Sequence, residues 1–207
     1  MKCGINGAEH DFNEIPCGIN GAVRQASELW IGVNGAVKKV WPTLPVGYQE
    51  ILDVVGSGWW TCPASGRWRI EGHGGGGSGA DQDYNTGYGG GGGGGSGEEY
   101  EATLNANEAI SYFIGRCPGF YRNGQDTTFG NYTFAGGKAS SGIGGGYASG
   151  SLATKGQSGG YNYAKGEGGV GNKNKPSQTY GNGGDGGGRN SAALPGSPGA
   201  IILTYLG

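Results

Sequence analysis

The chain has 207 residues, 52 of them glycine and 8 proline, a Gly plus Pro share of about 29% that in an aperiodic sequence usually marks low complexity or disorder. Aromatics at 11% and charged residues at only 14% argue for a folded chain instead, because disordered segments are poor in the first and rich in the second. A net charge of −2 leaves no footprint for nucleic acid or an anionic membrane surface, no stretch approaches the ~20 apolar residues of a spanning helix, and the triplet register of collagen is never kept.

The chain opens on a repeat. CGINGAEHDFNEIP (3–16), CGINGAVRQASELW (17–30) and IGVNGAVKKVWPTL (31–44) align at a period of 14 residues. Each unit carries Asn-Gly between apolar residues, the strongest short hairpin signal, because a type I′ turn needs positive φ at both central positions. The turns are expected at Asn6-Gly7, Asn20-Gly21 and Asn34-Gly35. Hairpins this short bury too little to stand alone. Residues 1–44 therefore read as a module for docking or oligomerisation; the alternative is an extension of the main domain. Cys3, Cys17 and Ile31 share one repeat slot, so these cysteines read as apolar positions. With Cys62 and Cys117 they form no Cys-x-x-Cys pair, and His10 and His73 lie far apart, which argues against a zinc site. The opening MKCGINGAEHDF lacks the apolar core of a signal peptide, so release by lysis or within a particle is expected.

Residues 45–207 form the second predicted domain. Apolar and aromatic runs mark strands in YQEILDVV (48–55) and GWWTCPASGRWRIEGHG (58–74), with a turn at Pro63–Gly66. EEYEATLNANEAISYFIG (98–115) turns at Asn105–Glu108, and TTFGNYTFAGG (127–137) at Gly130-Asn131. GAIILTYLG (199–207) is nearly continuous apolar text, as expected of a strand buried on both faces. No 3.6-residue apolar period appears, so the expected class is all-β, hairpin repeats followed by a sandwich.

Between these strands lie glycine runs that can supply no hydrophobic core: Gly74, Gly75, Gly76 and Gly77; the seven from Gly89 through Gly92 to Gly95; Gly144, Gly145 and Gly146; and the stretch 156–190. A left-handed glycine helix has three residues per turn and no internal hydrogen bonds. Without Cβ atoms, several can lie side by side and exchange N–H···O=C bonds in every lateral direction. Each bond nets only about 0.5–1.5 kcal/mol against a backbone ordering cost of about 1–2 kcal/mol per residue. One such helix alone loses; a bundle fastened to a sandwich can break even. The runs are thus expected to form a bundle of polyglycine-II-like helices.

Enzymatic motifs are missing. AGGKAS (135–140) departs from a P-loop, no Gly-x-Ser-x-Gly elbow occurs, and no nucleophile has a histidine nearby in sequence. Asp81, Asp83 and Asn85 alternate as in a calcium loop, but the glycine falls one place late and position twelve is Gly92, so a solvated acidic loop is the better reading. No cofactor is expected. The remaining signal is tyrosine in glycine-rich polar text: Tyr84, Tyr88, Tyr147, Tyr161, Tyr163 beside Lys165, and Tyr180. Tyrosine offers large contact area at low entropy cost, as in antibody loops, and flat rings suit stacking on sugars. These rings either face a ligand or plug the ends of the glycine helices.

WTCPASGRWRIEGHGGGGSG, GGGGGGSGEEYEATLNANEAISYFIG, TTFGNYTFAGG and GSPGAIILTYL together resemble the glycine-rich domains of bacteriophage and prophage tail proteins, over about residues 48–207. The 14-residue units resemble repeats of phage tail proteins from Gram-positive hosts. The resemblance implies a stack of polyglycine helices with variable receptor-contacting loops at its tip, often in a trimer. A similar lattice occurs in some animal receptor ectodomains, which carry signal peptides and disulfide-rich neighbours. The expectation is a non-enzymatic virion protein, made in the host cytoplasm and attached to other virion proteins through residues 1–44. Its expected partner is a host surface glycan. A capsid decoration or tail-assembly part that binds no host is the alternative, and a glycan depolymerase a more distant one.

Overall fold

The computed structural model describes residues 44–81, 89–141, 145–148, 150–156, 165–175, 178–188 and 192–207, together with the backbone of six strands within residues 2–41. The chain divides into two units, Met1–Pro45 and Val46–Gly207. The described residues are all-β, with no helix.

The first unit holds three separate antiparallel pairs. They are β1 (Lys2–Ile5) with β2 (Ala8–Asp11), β3 (Pro16–Ile19) with β4 (Ala22–Gln25), and β5 (Leu29–Val33) with β6 (Ala36–Trp41). Ile5 faces Ala8, Ile19 faces Ala22 and Val33 faces Ala36. The Asn-Gly residues themselves, Asn6, Gly7, Asn20, Gly21, Asn34 and Gly35, lie outside the described residues.

The second unit contains two antiparallel four-stranded sheets. Its strands are β7 (Gln49–Leu52), β8 (Gly56–Thr61), β9 (Gly66–His73), β10 (Gly97–Leu104), β11 (Ala109–Ile114), β12 (Thr127–Phe129), β13 (Tyr132–Phe134) and β14 (Ala200–Tyr205). One sheet runs β10-β9-β14-β7, the other β13-β12-β11-β8. The turns at 62–65 and 105–108 join strands of different sheets, so neither closes a hairpin. Alternate side chains fill the space between the sheets. Trp60 of one meets Trp68 of the other edge-on at 5.3 Å between ring centroids, and Tyr100 meets Tyr132 at 4.9 Å. The Trp60 indole N–H donates to Glu50, which satisfies the one polar atom that this ring carries inward. Gly72 stands opposite Phe134, whose ring occupies the place a Cβ would take. A glycine here, mid-strand, is what lets the sheets approach. Central strand β14 is buried from Ala200 to Leu203.

At one end of the sandwich the chain leaves β9 as Gly74–Asp81 and re-enters β10 as Gly89–Ser96. From Gly74 to Ala80 and from Gly89 to Gly97 every residue is buried, although neither stretch holds a side chain larger than that of serine. Their amides follow a three-residue rule. Gly74, Gly77 and Ala80 donate to Ser96, Gly93 and Gly90 on the returning segment. Gly75 and Ser78 donate to Gln125 and Arg122, on a second neighbour. Gly76 and Gly79 donate to Ser197 and Leu194, on a third. The returning segment repeats the pattern, with Gly89, Gly92 and Gly95 donating to Gly187, Gly184 and Gly181. Neighbours run in both senses: Gly184 and Gly187 reach Gly77 and Ala80 in parallel, while Gly183 and Gly186 reach Gly169 and Gly166 antiparallel. Each of these buried amides thus has a partner, as burial demands.

Glycine is required in this block for space. Gly76, Gly77, Gly89, Gly92 and Gly95 have no positive φ, but a Cβ on any of them would overlap a neighbouring carbonyl. At the margin of the block, side chains stand in for missing backbone. Asn123 Oδ1 accepts from the Ala139 amide and Asp126 Oδ1 from Gly136, at 2.9 and 2.8 Å. Asn182 Oδ1 accepts from Gly171 and Asp185 Oδ1 from Gly168, at 2.8 and 2.9 Å. Both pairs are spaced by three residues, so the marginal side chains keep the period of the interior.

Residues 171–175 and 178–182 also meet the outer face of the first sheet. Glu71, 3% exposed, accepts from His73 Nε2 at 3.0 Å, from Asn172 Nδ2 at 3.1 Å and from Lys175 Nζ. Tyr180 donates its hydroxyl to Asp53 at 3.1 Å. The glycine-rich part is therefore held to the sandwich by a polar clamp as well as by its hydrogen-bonded ends.

Candidate functional site

The far end of the glycine block is the candidate site, because chain segments that begin at different strands converge there. Ala80 donates to Gly90, Gly187 to Ala80, Gly89 to Gly187 and Gly166 to Gly89, at 2.8 to 3.2 Å. These bonds put Asp81, Gly89 and Lys165, which flank the sequence positions of Tyr84, Tyr88 and Tyr163, on or next to one layer. Tyr84, Tyr88, Tyr161 and Tyr163 themselves lie outside the described residues, as do Asp83, Asn85 and Gly144.

Three further sequence candidates fall in three places. Lys165 is at the far end and pairs with Asp185 at 3.3 Å. Tyr147 lies on the flank, 68% exposed, with Lys155 Nζ 4.7 Å from its ring centroid. Tyr180 is at the near end, half-buried, its ring 6.5 Å from that of His73. Burial and the neighbouring Asp53 raise its pKa, so it remains a neutral donor in this clamp. Tyr147 and Lys165 are accessible to a ligand; Tyr180 is occupied in holding the fold. Gly145 and Gly146 are buried, and Gly146 donates to Gly91.

Asp81 is engaged structurally. Its Oδ1 accepts from the Ala193 amide at 2.7 Å, and its own amide donates to the Tyr121 hydroxyl at 3.3 Å. Among the described residues no cluster of three His, Cys, Asp or Glu could hold a metal. Cys62 and Cys117 are unpaired thiols whose Sγ donates to the carbonyls of Ala64 and Gly119. Burial raises the Cys62 pKa, which suits an inert core thiol.

The structure adds a pair that reasoning from sequence misses. Phe120 and Tyr121 are 50% and 58% exposed beside the far end, on the turn of Cys117–Arg122. Tyr121 has φ 55, a left-handed conformation that bulky residues seldom adopt and that clusters at functional sites. Its hydroxyl bond to Asp81 ties this turn to the block. Pro118-Gly119, a standard turn dipeptide, is the available signal: it places the two following aromatics outside any strand. Exposed Arg116 and Arg122 flank them, and neither forms an ion pair among the described residues.

The marginal contacts can be tested singly. Asp185→Ala removes the acceptor of the Gly168 amide and the partner of Lys165. It should cost about 1–2 kcal/mol in urea unfolding, nearly all from the stranded amide, since an exposed ion pair contributes little. Asp185→Asn keeps an Oδ1 acceptor and should stay close to wild type.

A comparison with known proteins finds no family model and no curated protein that matches this chain. The functional reading therefore rests on geometry and on the residues themselves.

Proposed function

We propose that this is a non-enzymatic receptor-binding protein of a bacteriophage tail or tail-like particle. In this reading the glycine segments are polyglycine-II-type helices forming a rigid stack, and the loops at its far end contact a surface glycan of the host. Residues 1–44 attach the protein to other virion proteins or bring three copies together. The observation that supports this best is the three-residue period of lateral hydrogen bonds, with successive amides of one segment serving three different neighbours. Such a stack holds its far-end loops on a stiff base without using their side chains for a core. The loops are then free to vary with the receptor. Exposed Phe120, Tyr121 and Lys165 supply rings and a cation at that end, with Tyr147 on the flank, groups suited to sugar faces and hydroxyls.

The test is adsorption. Labelled protein should bind cells of the bacterium that the particle infects and slow adsorption of the particle itself. Tyr121→Ala should weaken binding by about tenfold, the scale of one well-placed aromatic contact. Absence of cell binding together with a place on the shell of the particle would favour a purely architectural protein. Release of reducing ends from host polysaccharide would show a depolymerase.

A further inference from the structure

We infer that the other end of the sandwich, remote from the glycine block, carries a binding site for a neutral saccharide, centred on Trp59. The inference does not depend on the tail-adhesin reading. A groove of about 430 Å³ opens there, within the range of small-ligand sites. Trp59, Glu108, Ser111, Asn131 and Tyr132 line it over a floor that includes Leu104, Ile110 and Phe129.

Trp59 is 73% exposed on a regular strand. Its cross-strand partner is Ser111, whose small side chain leaves the indole uncovered, and Gly130 follows next in the same row through its amide bond to the Ser111 carbonyl. Ser57 and Thr61, which share the Trp59 face of β8, are exposed polar residues. Trp60, one position on, does the core packing. An indole held open in a polar row is informative in a way that a scattered exposed leucine is not.

Glu108 supplies the polar half. Its backbone is fixed in the turn: its amide donates to the Asn105 carbonyl, its carbonyl accepts from Cys62, and Asn107 adopts φ 64 between them. Its carboxylate Oε2 accepts from the Asn105 amide at 3.0 Å and from the Asn105 side chain at 3.4 Å. The other oxygen, Oε1, has no hydrogen-bond partner among the described residues. A carboxylate, a carboxamide and a flat ring lining one groove match vicinal hydroxyls and an apolar sugar face. Among the described residues no lysine or arginine lines the groove, so an acidic sugar would meet uncompensated repulsion from Glu108.

The experiment titrates the full chain with methyl glycosides of glucose, galactose, mannose and N-acetylglucosamine, and with a methyl glucuronide as the acidic control, read by amide and indole NMR shifts. At least one neutral glycoside should move the Trp59 indole and the Asn131 amide at millimolar concentration, and the glucuronide should not. Trp59→Ala and Glu108→Gln should each weaken that response by about tenfold or more. Gln keeps an acceptor for Asn105, and Trp59 contributes little to the core, so both variants should unfold at wild-type temperature. Any of three results would overturn the site: no neutral glycoside moves these resonances, the shifts persist in both variants, or the glucuronide binds equally well. Loss of self-association in Trp59→Ala without any sugar response would instead assign the groove to contact between copies.

Discussion

Gly92→Ala, the addition of one methyl group, is expected to destabilise the second unit by about 3–5 kcal/mol and to lower its melting temperature by about 6–20 °C. The added Cβ would overlap the Gly77 carbonyl. That carbonyl accepts from Gly184, and Gly92 itself donates to Gly184 and accepts from Gly169. Relief of the clash must therefore move at least one segment away from partners that cannot follow. Overpacking of this kind costs about 1–3 kcal/mol, and each hydrogen bond broken in the block adds about 0.5–1.5 kcal/mol. Gly47→Ala is the control. Gly47 has φ +89 and nothing within 4 Å of the place a Cβ would take, so alanine there meets only left-handed strain of about 1–2 kcal/mol. Thermal and urea unfolding of the two variants separates steric from conformational need for glycine. A Gly92→Ala protein as stable as Gly47→Ala would mean that the segments do not touch as described.

The contrast explains what the sequence could and could not convey. Strand positions are legible because the sandwich obeys ordinary rules: apolar and aromatic runs in β8 and β9, turn residues at Pro63 and Asn105, a nearly continuous apolar run in β14. Sheet membership is not, because a turn that closes a hairpin and a turn that crosses between sheets use the same residues. The glycine runs announce lateral packing, but their neighbours are chain segments as distant in sequence as Ser197 is from Gly76, and glycine carries no side chain to encode a choice. The register is written at the margins instead, in Asn123 with Asp126 and Asn182 with Asp185, whose side-chain oxygens meet amides three residues apart. The motif Asn-Gly-x-Asp occurs at both places and can be read as a marginal signature of such a block. Of the residues singled out in the sequence, Lys165 and Tyr147 stand in polar, glycine-rich text and are exposed. Tyr180 shares that context and yet serves the clamp, since composition alone does not say which end of a segment a residue occupies.

The second large effect is expected at Glu71, which joins the glycine-rich segment to the sandwich. Burial by itself would raise its pKa, but hydrogen bonds from His73 and Lys175 and their charges outweigh burial and lower it from 4.5 to about 2. The sign of the pH dependence follows. A carboxylate with a depressed folded-state pKa adds stability that is fully present above 4.5, where the unfolded chain is also ionised. That stability is lost as pH falls toward about 2, because the unfolded state takes up the proton first. The difference corresponds to roughly 3 kcal/mol. Glu71→Gln should therefore be clearly less stable than wild type at pH 7, with the gap closing as urea unfolding is repeated from pH 5 down to pH 2. His73 makes the clamp exacting, since among the described residues its Nδ1 is buried without a hydrogen-bond partner and its Nε2 meets the Glu71 carboxylate. An amide at position 71 has one acceptor oxygen where the carboxylate has two, so it can serve two of the three donors at most, without charge, and its NH2 adds a donor where none is needed. Lys175, 44% exposed, can turn to water, so Lys175→Met should cost less than Glu71→Gln and should leave His73 and Asn172 in place. Stability curves for wild type and Glu71→Gln that run parallel across this pH range would show that the carboxylate is not the charged centre of the clamp, and residues 171–175 and 178–182 would then be held by their backbone bonds and by Tyr180 on Asp53.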